Sequence, residues 1–401
     1  MRISTIQQFN VALDRILDLQ ANTAEFQTQI ATGRRINQPA DDPVAAAQSL
    51  RIDQRVANVE QYNRNSDFAS LRLNQQESSI ASVNDALQRV RELVIRGKTT
   101  TLSQADRNFI AQEVRQRAEE IFDLSNSRNS SGEFIFAGSK VSTQAFSKNA
   151  SGQVIYNGDQ TTRDVQISEF RKVSEGLHGF DLFVAIRNGN GDFVTSPGAA
   201  NNGTGRAIPV GVTDPNIFEK HDYRVVFTAP NTFDVIDDTA GAAVLTGQVY
   251  TEDAAINFAG IEISVSGVPQ VGDEFHIDAS RYQSVFDTLD TLNNALETTQ
   301  VTAADEVNFQ ANMDRLLGEL DNSMNNLREA QAIIGARQNT IQSQQNANSE
   351  LSLQLQAAKS TLEDVDIVEA VGNLARTTNA LEAAQTAFVR VQSLSLFNFL
   401  R

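Results

Sequence analysis

Histidine is rare in this chain and cysteine is absent, which limits the chemistry that its side chains can perform. The three histidines, His178, His221 and His276, are far apart and show no spacing typical of metal ligands or of a nucleophile–base pair. Without cysteine there is no disulfide, no thiolate nucleophile and no cysteine metal site. We therefore interpret the histidines as surface or turn residues and predict no metal and no cofactor.

Adjacent acidic residues are the other candidates for chemistry. Asp41-Asp42 and Asp237-Asp238 are consecutive pairs, and consecutive carboxylates do not face each other across a substrate as an acid–base pair does. Asp42 precedes Pro43 and is a natural helix N-cap. Asn188–Asp192 resembles a calcium loop only loosely, because it lacks the closing glutamate, and is better explained as a hairpin turn. The sequence thus predicts no enzyme; catalysis is the weakest interpretation.

The net charge of −17 is unevenly distributed and argues against a nucleic-acid partner, since phosphate binding needs a basic surface. Residues 1–136 carry 16 basic and 17 acidic groups, residues 137–280 carry 9 and 18, and residues 281–401 carry 8 and 15. The acidic middle suits a solvated outward domain. There is no apolar run of some 18 residues, which predicts no membrane insertion, and no apolar segment typical of a signal peptide near the first residues.

The first and last stretches both carry apolar residues at the three- and four-residue steps of one helix face. A single stripe cannot hold itself folded in water, because ordering the backbone costs more than one unpaired face recovers. Its partner is either elsewhere in the chain, as in an ordinary intrachain bundle, or on a second copy. The stripe residues that we assign to assembly are Ile6, Leu13 and Leu17 near the start, and Leu381, Phe388, Val391, Leu394, Leu396 and Phe397 near the end.

Long proline-free tracts predict helices on both sides of a proline-bearing middle. One helix is expected over residues 44–98, and helix returns at about Ser280. Three capping-box patterns mark further helix starts: Ser103–Asp106, Thr302–Asp305 and Ser360–Glu363. The last of these predicts a break near Lys359.

The middle of the chain has the short alternating runs and turn residues of β-structure. Glu133–Gly138 is predicted to be a strand, and a hairpin is expected around Val154–Tyr156. Residues 180–280 are expected to be all β, beginning with the alternation of Phe180, Leu182, Val184 and Ile186. Residues 188–211 are expected to form a long loop. We predict an inserted sandwich or barrel-like domain here.

Sixteen residues at the predicted end of the first helix resemble a known signature. Ala31–Ala46, ATGRRINQPADDPVAA, resembles the N-terminal signature of the bacterial flagellin family, and its Pro-x-Asp-Asp-Pro form resembles the hook–filament junction members more than filament flagellins. Glu133–Gly138, Leu362–Asp366 and Leu394–Phe397 resemble further segments of that family. The resemblance covers about residues 1–140 and 280–401, and adds Gly33, Arg35, Asn37, Asp41 and Asp42 to the candidate assembly residues.

The fold class that follows is mainly α with an inserted all-β part. A long antiparallel helical bundle or coiled coil is built from both chain ends, with a β-hairpin region and a small β-sandwich-like outer domain. The expected domains are an N-terminal helix of a terminal tube domain (1–42), the first part of a helical rod with the hairpin (43–179), the outer β domain (180–280), the second part of the rod (281–359) and the C-terminal helix of the tube domain (360–401).

The resemblance also implies a function, a location and partners. It implies a structural adaptor in the extracellular flagellum, at the hook–filament junction, secreted through the flagellar type III pathway without a cleaved signal peptide. Its termini would be disordered in the monomer and order on assembly. The implied partners are further copies in a ring or helical oligomer, the first hook–filament junction protein, flagellin and an export chaperone. The alternatives are flagellin itself, or a surface adhesin or binding module carried by the β insert.

Overall fold

The computed structural model describes residues 5–399, without the side chains of residues 5, 6, 8 and 391–399. Helices dominate both ends of the chain, as the sequence predicts. The helices are α1 (Thr5–Thr32), α2 (Pro43–Gly97), α3 (Gln104–Ser125), α4 (Gly179–Phe183), α5 (Val285–Glu297), α6 (Ala303–Glu363) and α7 (Ile367–Phe399).

The strands all lie between α3 and α5, so the β part is inserted into a helical frame. They are β1 (Phe146–Lys148), β2 (Val154–Tyr156), β3 (Asp164–Gln166), β4 (Lys172–Ser174), β5 (Ile186–Arg187), β6 (Phe193–Pro197), β7 (Arg206–Val212), β8 (Tyr223–Ala229), β9 (Thr232–Asp237), β10 (Ala242–Val249), β11 (Ala255–Phe258), β12 (Ile261–Ser266), β13 (Glu274–Ala279) and β14 (Tyr282–Gln283). The predicted fold class is confirmed.

The chain divides into two compact units. Unit 1 contains the residues up to Arg64 and from Ser343 onward, and unit 2 contains Asn65–Gln342. Unit 1 therefore holds α1, α7 and the adjoining ends of α2 and α6. Unit 2 holds the remaining elements and two separate hydrophobic cores.

The larger core of unit 2, called the helical core below, is formed mainly by the helices and is completed by buried residues between 134 and 186. Leu87 of α2, Ile121 of α3, Leu292 of α5 and Leu316 of α6 are all fully buried there. α2 and α6 are antiparallel, because Arg91 pairs with Asp321 while Lys98, further along α2, pairs with Asp314, earlier in α6. The antiparallel pairing is what the short helix connections predict.

Two of the predicted capping boxes are present in unit 2. The Ser103 hydroxyl accepts the Asp106 N–H of α3, and the Ser103 N–H donates to the Asp106 carboxylate. The Thr302 hydroxyl likewise accepts the Asp305 N–H at 3.1 Å, and Asp305 accepts the Thr302 N–H at 2.8 Å. Each box satisfies two N–H groups that the first helical turn leaves without partners.

The smaller core of unit 2 lies inside a β-sandwich. One sheet has five antiparallel strands in the order β10-β9-β8-β13-β6, and the other has three in the order β11-β12-β7. Val225 and Phe275 from the first sheet and Ile263 and Val265 from the second are fully buried in this core. The sandwich that was predicted from alternation is therefore confirmed.

Three local predictions in the middle of the chain are wrong. Glu133–Gly138 is not a strand but an irregular segment whose Phe134 and Phe136 are buried. Residues 180–186 are not one strand: α4 is followed by the two-residue β5, and Leu182 and Phe183 pack into the helical core. The stretch 188–211 is not a loop, since it contains β6 and most of β7.

The break or bend predicted near Lys359 lies a few residues later than expected, and the capping box from which it was predicted is not formed. α6 continues to Glu363, and the chain turns over residues 364–366. The Ser360 hydroxyl bonds to the Asp364 carboxylate within the last turn instead of capping a new helix. The cap of α7 is Asp366, which accepts the Val368 and Glu369 N–H groups at 2.9 and 3.1 Å.

Candidate assembly surface

The signature residues form the turn between α1 and α2, in unit 1. Gly33 has φ of +72°, a left-handed conformation that glycine adopts without strain and that ends α1. Its carbonyl accepts the Val365 N–H at 3.0 Å. The turn after α1 is thereby joined to the turn between α6 and α7.

Arg35 connects these two turns through both its backbone and its side chain. Its N–H donates to the Glu363 carbonyl at 2.6 Å, and its guanidinium donates to the Leu362 carbonyl at 3.0 Å and to Asp42 at 3.4 Å. One side chain thus binds α6 and the start of α2 together. Two Nη donors held in a planar fork suit this double contact better than a lysine ammonium does.

The remaining signature side chains fix the turn from within. Asp41 accepts the N–H groups of Asn37 and Gln38 at 2.9 and 2.8 Å, and the Asn37 amide donates to the Arg34 carbonyl at 3.1 Å. Asp42 is the predicted N-cap of α2. The Ala45 N–H, which donates to its carboxylate at 3.0 Å, and the Arg35 guanidinium hold the pKa of Asp42 below its ordinary value.

Glu363 is the residue of this region whose role the sequence reasoning missed. Its carboxylate bonds to the Ser49 hydroxyl of α2 and lies 3.8 Å from Arg34 and 3.9 Å from Lys359. Ser49 is buried. Lys359 lies four residues away on α6, and Ser49 and Arg34 lie more than 300 residues away. The sequence placed Glu363 in a capping box with Ser360 and predicted none of these three partners.

α1 and α7 pack on each other as an antiparallel pair. The rings of Phe9 and Phe388 are 5.0 Å apart, while Arg34, just beyond the end of α1, pairs with Asp364, just before α7. Ile16 and Thr23 of α1 are buried along this pair. The two predicted stripes therefore meet within a single chain.

The pairing leaves many large apolar side chains in water. Among the stripe residues Leu13 is 39% exposed and Leu17 is 53% exposed, while Leu381 and Phe388 are half-buried. Other exposed apolar side chains of unit 1 are Phe9, Val11, Val44, Leu50, Leu351, Leu353, Ile367, Val368, Val371 and Val389. Ile6, Val391, Leu394, Leu396 and Phe397 lie where side chains are outside the described set.

This concentration of exposed apolar groups is the candidate assembly surface. Single exposed apolar residues are normal on soluble proteins, but contiguous apolar faces mark interaction sites. The two helices cover each other along one side only, so their other sides have the character of an unpaired helix face.

Catalytic arrangements are not found in the described part of the chain. No group of three or more His, Asp or Glu side chains with metal-binding geometry occurs among the described residues. His178 precedes α4 and is buried, while His221 bonds to Asp237 at 2.7 Å at one end of the sandwich. Nor does any helix within residues 5–399 combine the length and apolar character needed to cross a bilayer.

Comparison with known proteins places these features in a family. The bacterial flagellin N-terminal helical region matches residues 3–141, and the bacterial flagellin C-terminal helical region matches residues 317–400. Flagellar hook-associated protein 3 of Escherichia coli (strain K12) is 24% identical over 398 residues, which is 99% of each chain. The crystal structure of the flagellar junction protein FlgL from Legionella pneumophila is 30% identical, with a TM-score of 0.71, and the match covers 79% of this chain and 100% of that one.

The chain belongs to the FlgL family. As a FlgL-family member it is a structural protein of the bacterial flagellum, of the hook-associated class. Similarity to flagellins is more restricted: a Salmonella montevideo flagellin is 28% identical over 244 residues, which is 60% of this chain but only 44% of the flagellin. The paired helices and their turn fall within the matched terminal regions.

Proposed function

We propose that this FlgL-family chain is an adaptor that joins the hook-side junction protein to the flagellin filament by self-assembly of its terminal helices. The observation that carries the proposal is the apolar face that α1 and α7 leave in water after pairing with each other. Fully burying a large apolar side chain stabilises by about 1.5–3 kcal/mol. Several such side chains on each copy therefore supply a strong drive to associate.

Charge supports the same arrangement. Unit 1 has 11 basic and 13 acidic residues, whereas unit 2 has 22 and 37. Copies packed through the nearly neutral unit 1 avoid most of the mutual repulsion that the acidic unit 2 would create. The signature turn, held by Arg35 and Asp42, sets the angle at which α1 leaves α2 and belongs to this assembly region.

The proposal includes the route and the partners that the family resemblance implies. The chain would reach the cell exterior through the flagellar type III pathway without a cleaved signal peptide, accompanied by an export chaperone that covers the exposed apolar face. It would then form a ring or helical layer between the first junction protein and flagellin.

A deletion strain gives the direct test. Electron microscopy should show hooks without filaments when the gene is removed, and filaments should return when it is restored. Immunogold labelling should be confined to the filament base. Normal filaments in the deletion strain would overturn the proposal, and labelling along the whole filament would favour the alternative that the chain is itself a flagellin.

A point variant tests whether the exposed face carries the assembly. Val389 is 62% exposed beside Phe388, so Val389→Asp should leave the fold of the isolated chain intact and abolish filament attachment. The matched control is Asn379→Asp, which adds the same charge at an exposed polar position of α7 and should preserve attachment. Equal behaviour of the two variants would show that the apolar face is not the contact. Phe388→Asp is less informative, because it also removes the ring contact with Phe9.

A further inference from the structure

A basic hollow lies on the α2 side of unit 1. It is an open depression of about 650 Å³, lined by Leu50, Arg51, Ile52, Arg55 and Leu362. Leu50 is 68% exposed. Among the described residues, neither Arg51 nor Arg55 forms an ion pair. The α2 hollow, defined by these five residues, therefore offers an apolar floor with two uncommitted positive charges.

An acidic apolar patch lies at the start of α7, also in unit 1. Val368 is 85% exposed and Ile367 is 57% exposed, and Val371, one turn later, is 48% exposed. Glu369 is exposed and has no ion-pair partner in the described part of the chain, and Asp366 adds negative charge while it caps the helix. The α7 patch is acidic whereas the α2 hollow is basic, and both surfaces carry exposed apolar side chains.

The two surfaces do not fill each other within one chain. Only four residues lie between Leu362 and Ile367, and the turn between them is held by the bonds to Gly33 and Arg35. The exposed fractions of Leu50 and Val368 are values for the single chain, so each surface is open when one copy is alone.

We propose that the α7 patch of one copy docks in the α2 hollow of a second copy. Like surfaces would not pair, because two hollows bring arginines together and two patches bring carboxylates together; opposite charges give the complementary arrangement. An interface between two different surfaces is head-to-tail, so a bound pair still presents one free hollow, on one copy, and one free patch, on the other. Repetition of this contact gives a closed ring or a helical layer. The inference rests on the proposed adaptor function and specifies the surfaces through which copies would bind each other.

The chain contains no cysteine, so any disulfide formed in a crosslinking test must involve the introduced residues. Leu50→Cys and Val368→Cys are placed together in the full-length chain, expressed in the deletion strain, and flagella are isolated and mildly oxidised. Non-reducing electrophoresis should show a ladder of dimers, trimers and larger species, because every copy carries both halves of the contact. Each single variant alone should show no crosslinked species. Crosslinking of either single variant, or no ladder from the double variant, would overturn the inference.

Two controls separate this contact from general proximity. Asn58→Cys with Asn379→Cys places exposed cysteines on the same two helices away from the hollow and the patch, and should give no ladder. Arg51→Glu with Arg55→Glu, added to the double-cysteine chain, should reduce the ladder at least tenfold while the circular dichroism spectrum of the isolated chain is unchanged. An unchanged ladder would contradict the charge pairing.

Failure of the inference and failure of the proposed function give different results. Filaments attached normally in the double-cysteine strain, but without a ladder, would leave the adaptor function standing and remove this contact. Normal filaments in the uncomplemented deletion strain would remove the function itself.

Discussion

Gly33 shows how one residue can determine the joint between two helices. Alanine at this position would meet no atom within 4 Å, so its only penalty is the left-handed φ of +72°. We expect Gly33→Ala to weaken the joint by about 1 kcal/mol, the usual cost of a non-glycine residue in this conformation. Hydrogen exchange at the Val365 N–H, which donates to the Gly33 carbonyl, should accelerate about fivefold.

A second glycine of unit 1 is the matched control. Gly372 lies inside α7, and a Cβ there would approach only the Arg376 guanidinium, at 3.9 Å. Gly372→Ala should stabilise α7 by about 0.5–1 kcal/mol, because alanine is the better helix former. Destabilisation by both substitutions would contradict the conformational explanation and indicate that packing decides.

His221 makes the sandwich sensitive to pH. The hydrogen bond from its ring to Asp237, with further help from Glu219, raises the pKa of His221 despite partial burial. A raised pKa in the folded state means that the imidazolium contributes stability below its ordinary pKa, and that this contribution is lost as the pH rises through the folded value. Amide exchange in β8 and β9, corrected for its intrinsic rate, should therefore be better protected at pH 5.5 than at pH 8.5. His221→Gln should flatten the difference; an equal pH dependence in both proteins would assign it to other groups.

The signature turn shows what the sequence could predict of the candidate site. Asp42 as an N-cap, and Asp41 bonded to N–H groups three and four residues away, are local arrangements that follow from residue type and spacing. The acceptor of the Arg35 guanidinium on Leu362 is 327 residues away. Only the fold brings these residues together. The residues of the site were therefore predictable from the sequence, but the hydrogen bonds between its distant parts were not. Whether these residues contact other subunits stays a prediction.

At the scale of elements, the long helices were predictable and the short segments were not. A helix of 55 residues such as α2 repeats its apolar period many times, and local disturbances do not alter the pattern. Residues 180–186 contain a single repeat, which fits two-residue alternation and a helical turn equally well. The choice is made by tertiary packing: Leu182, Phe183 and Ile186 all enter the helical core of unit 2.

Two leucines distinguish a helix face that is buried in the single chain from one that is not. Leu292 of α5 is fully buried, so Leu292→Ala should lower the free energy of unfolding of unit 2 by about 2–5 kcal/mol. Leu353 of α6 is 67% exposed, and Leu353→Ala should change the stability of the isolated chain by less than about 0.5 kcal/mol. Urea unfolding, monitored by hydrogen exchange, measures the change in the free energy of unfolding for both variants. A large effect of Leu353→Ala would mean that its face is already covered in the monomer.

At the scale of the whole molecule, the sandwich has its own core and is inserted between two adjacent points of the chain. Phe193 at the start of β6 pairs with Ala279 at the end of β13, and the Ser280 N–H donates to the Asp192 carbonyl at 2.8 Å. None of the residues of the helical core lies between 193 and 279. We therefore expect the fold of the helices not to depend on what this segment contains.

Excision of the sandwich tests this independence. Replacement of residues 193–279 by Asn-Gly, a sequence that favours a tight hairpin turn, should leave the helical core with unchanged hydrogen-exchange protection. The excised fragment should fold alone, since it has its own core, and Val225→Asp should unfold it. The Arg206–Asp314 ion pair would be lost, but Asp314 keeps Lys98 as a partner. Loss of helical protection in the shortened chain would show that the insert is part of the frame.

The sandwich begins with β6 and ends with β13, which are paired neighbours, so the chain enters and leaves it at one place. One inserted domain could therefore replace another there. A foreign domain whose two termini are close together could be grafted between Asp192 and Ser280 without new demands on the helices. Natural exchange at such a point would let this segment diversify while the helical frame keeps its own packing. The same geometry offers a scaffold for the display of an antigen or a catalyst on the helical frame of this chain.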